Sequence, residues 1–148
     1  MRARWRVVTD ERGVIELKLA SRRPPTVRRP NPRATRWRRL AEKEINAYLV
    51  GRTTAFSTPY DLGSLPLFTR SVLEFVARIP YGETRSYRWL AERLGRPRSA
   101  RAVGNALARN RLPIIIPCHH VVRCDGAIGP FALGSGWKKK LLRLEKGL

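Results

Sequence analysis

The sequence predicts an α/β (α+β) fold in two parts. A small N-terminal β-sheet-plus-helix domain spans residues 1–60, and a helix-turn-helix, winged-helix-like domain spans residues 61–148. Three observations predict this. Two short β-patterned runs flank a turn near the N-terminus. A stretch rich in Thr, Ser, Pro and Gly at 52–66 then interrupts the hydrophobic periodicity. Beyond it, apolar patterns at helical spacing follow in quick succession, two of them joined by a tight Gly-Arg-Pro turn. A length of 148 residues suits one domain or a compact domain with a small companion.

Trp5–Val8 and Val14–Leu19 are read as strands, and Asp10-Glu11-Arg12-Gly13 supplies the turn that makes them a hairpin. Residues 21–33, rich in Arg and Pro, read as a loop or an edge strand. A helix is expected from Ala34 to Val50, with Trp37, Leu40, Ala41, Ile45 and Tyr48 as its apolar stripe and Gly51 at its end. Residues 52–66 read as a linker. Phe68, Val72, Phe75, Val76 and Ile79 then repeat at helical spacing until Pro80-Tyr81-Gly82 breaks the pattern. Ser86 is a candidate N-cap for a second helix whose Tyr87, Leu90, Ala91 and Leu94 share a face. After the turn at Gly95-Arg96-Pro97, a third helix is expected from Arg98 to Arg109.

That third helix places Ala100, Val103 and Leu107 inward and Arg98, Arg101, Ala102, Asn105 and Arg109 outward. Its outer face is basic and includes one small residue, so a nucleic-acid backbone could approach it closely. A solvated charged face is the ordinary alternative. Leu112 to Pro117, an apolar run between prolines, reads as a buried extended segment. A glycine-rich loop follows from Asp125 to Gly136, and Ser135 is a candidate cap for a last helix over Gly136–Lys146.

Composition narrows the partners. The formal net charge is +20, most of it from Arg, with a Lys cluster at Lys138-Lys139-Lys140. A polyanion is the expected partner, because Arg suits bidentate phosphate contacts and stacking on bases. Genome bias or heat adaptation is the competing source of the charge; the absence of Gln and the single Met point to a thermophile. At 43% hydrophobic residues the chain can bury a core, which excludes a disordered protein. No apolar run of about 18 residues, no signal peptide and no lipidation motif is present, so a cytoplasmic, monomeric protein without a membrane partner is expected. The two cysteines, Cys118 and Cys124, are not expected to form a disulfide in an intracellular chain. No zinc site is expected either, since CxxC and HxxxH spacings are absent.

Cys118 directly follows the buried apolar run and precedes His119. A thiolate is the strongest side-chain nucleophile, and a neighbouring imidazole can take the thiol proton. The alternative is an inert buried cysteine. Glu145 falls at the edge of the last helix's apolar face, where a carboxylate needs a partner. Either His119 fills that role, which would build a Glu–His–Cys relay, or a surface Lys or Arg does.

Arg101-Ala102-Val103-Gly104-Asn105-Ala106, then Asn110, Pro113 and Pro117-Cys118-His119-His120-Val121, resemble the O6-alkylguanine-DNA alkyltransferases, whose signature is Pro-Cys-His-Arg-Val. The resemblance extends through Gly126, Gly134, Lys138, Leu141, Leu142 and Glu145. It also reaches back to Phe68-Thr69 and to Tyr81-Gly82-Glu83 through Ser86-Tyr87, so it covers residues 65–147. Residues 1–60 match only in general character.

The resemblance implies a single-turnover DNA repair protein with no cofactor that acts on duplex DNA containing O6-alkylguanine. Cys118 would accept the alkyl group, His119 would activate it through a water, and Glu145 would hold His119. Asn110 would support the turn presenting the cysteine. Arg101 would enter the base stack in place of the flipped nucleotide, and Tyr87 would help rotate that nucleotide and protonate the departing guanine. The third helix would lie in the minor groove. Each has an ordinary alternative: Tyr87 as a core aromatic, Arg101 as a phosphate contact, Asn110 as a turn residue.

Departures from the family pattern fall around the pocket. His120 stands where the signature has Arg, which leaves open which imidazole serves Cys118. Phe131 stands where a Tyr commonly lines the base pocket, and Ala132 where some members have Ser. Two rival readings are a non-enzymatic, damage-sensing helix-turn-helix protein and a cysteine hydrolase. No oxyanion-hole pattern supports the hydrolase.

Overall fold

The structure is a computed structural model and describes residues 3–20 and 31–147. Most of the Arg- and Pro-rich stretch, residues 21–30, lies outside the described residues. The chain forms two compact units, residues 1–64 and 65–148.

In the first unit, β1 (Trp5–Thr9) and β2 (Val14–Leu19) form the expected antiparallel hairpin, with Trp5 opposite Leu19 and Thr9 opposite Val14. Asp10 shapes the turn: its carboxylate accepts the N–H groups of Arg12 (2.8 Å) and Gly13 (3.1 Å). Val7, Val14 and Leu17 point into the core, where α1 (Pro32–Leu49) adds Ala41, Ile45, Tyr48 and Leu49. The helix begins two residues before its apolar stripe suggests. Asn31 accepts the N–H groups of Arg33 and Ala34, and Pro32 occupies the first helical position.

The stretch read as a linker is instead tied into this unit. Val14 donates to the Pro59 carbonyl (2.9 Å) and its own carbonyl accepts from Asp61 N–H (3.0 Å), which adds a short parallel rung to β2. Glu44 of α1 accepts the backbone N–H groups of Ser57 (2.9 Å) and Thr58 (3.0 Å) and both hydroxyls. Burial pulls the Glu44 carboxyl up, but these hydrogen bonds outweigh it and hold the group below its ordinary value. Polar composition here serves backbone pairing rather than freedom.

The second unit contains α2 (Leu67–Val76), β3 (Arg85–Ser86), α3 (Tyr87–Arg93), α4 (Ala100–Ala108), β4 (Val121–Val122) and α5 (Ser135–Glu145). Both α2 and α3 pack on α4, burying Val72, Leu73, Val76, Leu90, Ala91, Val103, Ala106 and Leu107. Ser86 caps α3 as expected, accepting the Trp89 N–H at 3.0 Å. The helix-turn-helix pair is therefore present, but α4 is shorter than its sequence pattern. Arg98 lies in the preceding turn, closed by Ser99 N–H to the Arg96 carbonyl (2.9 Å), and Arg109 is the C-cap.

Two further expectations change. Leu112–Pro117 is not extended: Ile116 N–H returns to the Leu112 carbonyl (2.9 Å) and closes a tight buried turn with Ile114 at φ +78°. Ser135 does not cap α5 but is its first residue, with Gly134 in the cap position. Finally, β3 and β4 pair in parallel, Arg85 with Val121 and Ser86 with Val122, which joins the start of α3 to the segment leaving Cys118.

Gly13 makes the tightest backbone approach in the hairpin. A Cβ there would lie 2.2 Å from the Pro59 carbonyl oxygen, at a φ of +151°. Gly13→Ala is expected to lower stability by more than about 2 kcal/mol in a denaturant titration. A change under roughly 0.5 kcal/mol would show that the rung between β2 and residues 59–61 yields freely.

Candidate active site

The site is built around the strained turn. Asn110, 4% exposed, accepts the Leu112 N–H at 2.9 Å and donates through Nδ2 to the Ile116 carbonyl (3.1 Å) and to Cys118 Sγ (3.0 Å). One side chain thus clamps both ends of the turn and aims a donor at the sulfur. A β-branched residue at positive φ costs roughly 1–3 kcal/mol. Burial of Leu112, Ile114, Ile115 and Ile116, together with the Asn110 bonds, holds Ile114 there. Cys118 then opens a single 3-10 turn, Cys118–His120.

This turn points both imidazoles at one carboxylate. His119 Nε2 lies 2.6 Å from Glu145 Oε1, and His120 Nε2 lies 2.6 Å from Oε2. Gly82 N–H also donates to Oε2, at 2.8 Å. The Glu145 side chain is 1% exposed, and these donors meet its charge inside the protein. Burial holds the His119 imidazole below its ordinary value, against the pull of the Glu145 hydrogen bond, so it is neutral at neutral pH. With Nε2–H committed to Glu145, Nδ1 becomes the basic nitrogen. The ligand atoms of His119, His120 and Glu145 lie within 4.8 Å of one another. Each Nε2 lies within hydrogen-bond reach of one carboxylate oxygen, so the three side chains bond one another in this arrangement.

Cys118 is 6% exposed. Burial pushes its thiol up to about 11, against the Asn110 hydrogen bond and the charge of Lys138. Lys138 is fully buried and donates to the carbonyls of Val121 (2.6 Å) and Pro130 (3.3 Å), with its ammonium 6.0 Å from the centre of the Tyr87 ring. Burial draws it down to about 8, opposed by Cys118. The sequence groups Lys138 with Lys139 and Lys140, yet helix phase places it on the inner face with Leu141 and Glu145.

A cavity of about 140 Å³ opens onto the sulfur, lined by Tyr87, Pro130, Phe131, Ala132 and, from α4, Gly104, Leu107 and Ala108. Both pocket residues expected from sequence are therefore present. Phe131 also stands edge-on to His119, at 6.1 Å. Burial raises the half-buried Tyr87 phenol above its ordinary value, and Cys118 adds to the effect. Gly129 sits at φ +71°, which favours glycine, and a Cβ there would also meet Tyr87 Oη at 3.1 Å and press on the phenol.

Arg101, Ala102 and Asn105 are exposed on the outer face of α4. Arg98 and Arg109 are also exposed but sit at its two ends, not on the face itself. Sequence reasoning named Gly82 and Lys138 within the resemblance without giving either a role, and it missed the positions of Ile114 and Gly129. The burial of Lys138 was signalled by its phase with Leu141 and Glu145. Among the described residues no helix is long and apolar enough to cross a membrane.

Fold and site together define a helix-turn-helix protein with a buried cysteine that lines a cavity walled in part by α4. The model of the 6-O-methylguanine DNA methyltransferase, DNA binding domain, matches residues 67–147. A methylated-DNA–protein-cysteine methyltransferase of Methanosarcina barkeri is 42% identical over 111 residues, covering 73% of this chain and 68% of the relative. Among solved structures, Mycobacterium tuberculosis OGT in complex with DNA is 33% identical with a TM-score of 0.78, covering 97% of this chain and 92% of that one. The O6-methylguanine-DNA methyltransferase of the hyperthermophilic archaeon Pyrococcus kodakaraensis is 28% identical with a TM-score of 0.68, covering 93% of this chain and 89% of that one. The chain belongs to the methylated-DNA–protein-cysteine methyltransferase family.

A thiol raised to about 11 is protonated at rest, so only a small thiolate fraction reacts with simple reagents. Carboxamidomethylation of Cys118, followed by peptide mass spectrometry to separate it from the exposed Cys124, is expected to quicken about tenfold per pH unit above pH 7 and to level only near pH 11. A plateau already reached near pH 8 would show that burial does not control this thiol.

Proposed function

We propose that this protein repairs duplex DNA by moving the alkyl group of an O6-alkylated guanine onto Cys118, once per molecule. The observation that carries this reading is the buried Cys118 sulfur. It accepts from Asn110, stands beside the Glu145-held His119, and opens onto a cavity walled by α4.

The target carbon is shielded in a duplex, so the nucleotide must leave the stack at a cost of a few kcal/mol. A chain of net charge +20 offsets that cost through phosphate contacts. The exposed face of α4 meets the minor groove, and small Ala102 lets the backbone approach. Arg101 fills the space the nucleotide leaves. In the cavity, Phe131 offers a stacking face. Ala132 has no hydroxyl and offers the guanine oxygen only its backbone N–H.

Neutral His119 takes the Cys118 proton, through a water, as the sulfur attacks the alkyl carbon in line. The carbon–oxygen bond breaks and its electron pair leaves with guanine. Tyr87 protonates the base and recovers a proton from the imidazolium, so the thiol proton ends on guanine. The product thioether does not hydrolyse, and no group in the site regenerates the thiol. In a prokaryote such a protein works in the cytoplasm, where the chromosome lies.

Intact-protein and peptide mass spectrometry after mixing with a duplex carrying one O6-methylguanine is expected to show a single added methyl on the Cys118 peptide and restored guanine. Tight binding without a mass change would replace this reading with that of a damage-sensing binder. A second comparison isolates the finger. Arg101→Ala is expected to slow transfer from duplex at least about tenfold and transfer from the free alkylated base by less than about twofold, since only the duplex requires an emptied stack to be filled. Equal losses on both substrates would remove that role from Arg101.

A further inference from the structure

We propose that His120 is a positioning residue for alkyl transfer: it takes up the second oxygen of Glu145 and thereby fixes the first oxygen on His119. The inference rests on the transfer reading above and adds a residue to its relay.

A glutamate's terminal torsion is soft, so a carboxylate bonded through one oxygen can turn. Here it cannot. Oε1 holds His119 Nε2 at 2.6 Å, while Oε2 holds both His120 Nε2 at 2.6 Å and Gly82 N–H at 2.8 Å. The two rings also stand edge to face, with centroids 4.4 Å apart, so each restricts the other's rotation.

The His120 ring is suited to this task because its Nε2 meets Oε2 while its buried ring stands against that of His119, so the contact is held from both sides. The other titratable groups around the cluster are Lys138 from α5, Cys118 in the same turn, and Tyr81, which feels the Glu145 charge.

The test compares His120→Phe, which keeps a ring and removes the donor, with His120→Gln, which keeps an N–H. Single-turnover transfer from free O6-benzylguanine is followed from about pH 5 to 9 in proteins whose melting curves are recorded alongside. His120→Phe is expected to react about tenfold more slowly, the order seen when a partner that orients an imidazole is lost. Its acid limb is expected to move to higher pH, because Glu145 stripped of one donor concentrates its charge on the oxygen facing His119 and makes that imidazole more basic. His120→Gln is expected to stay within about twofold of the wild type with an unmoved limb. A purely structural role would change the melting curve and leave the limb in place. Wild-type rate and profile in His120→Phe would overturn the inference alone, as would a His120→Gln protein as slow as His120→Phe. A wild type that transfers nothing would overturn the transfer reading and this inference with it.

Discussion

The second unit depends on one buried carboxylate. Glu145 reaches from the end of α5 to three donors that belong to two other parts of the chain, the turn holding Cys118 and the turn that follows α2. Removing a charge from water is expensive, and three short, charge-assisted bonds are what make it tolerable. The same bonds give the carboxylate a structural office and a chemical one. It ties the end of α5 to two turns elsewhere in the unit, and it orients the imidazole that follows Cys118.

The turn that presents the cysteine shows how a costly conformation is kept. Ile114 sits at a φ its branched side chain disfavours, and the apolar run around it is buried so thoroughly that relaxing the backbone would expose it. Asn110 adds polar closure at both ends of the turn. The sulfur is thus placed by packing and by one amide, not by the regular ladder of a helix or sheet. The parallel pairing of Arg85-Ser86 with Val121-Val122 then ties that placement to the start of α3, where Tyr87 begins its helix.

Local chemistry made much of this legible in the sequence. The hairpin followed from two β-rich runs around Asp10–Gly13, and the α3 cap from Ser86 ahead of an apolar stripe. The approach of Glu145 to His119 was one of two open possibilities, since helix phase shows only that a carboxylate reaches the apolar edge. What stayed hidden depends on partners distant in sequence. Residues 57–61 look like a linker until Glu44 and Val14 are seen to bond them. Prolines at both ends of an isoleucine run suggest extension, and the burial of that run together with the Asn110 bonds explains a turn in it. The N-terminal shortfall of α4, which takes Arg98 off its face, came from a turn closed ahead of the helix, which periodicity does not register.

The burial of Lys138 has an electrostatic consequence for the whole reaction chamber. Below about pH 8 it brings one positive charge to the interior, while burial keeps the thiol protonated and holds His119 below its ordinary value. In the transfer proposed above, passing a proton from sulfur to imidazole creates one charge of each sign, and the departure of guanine with that proton removes both. The net charge within the walls is then the same before and after, so no ion has to enter from solvent and the surrounding dipoles need little rearrangement as the bond to carbon forms.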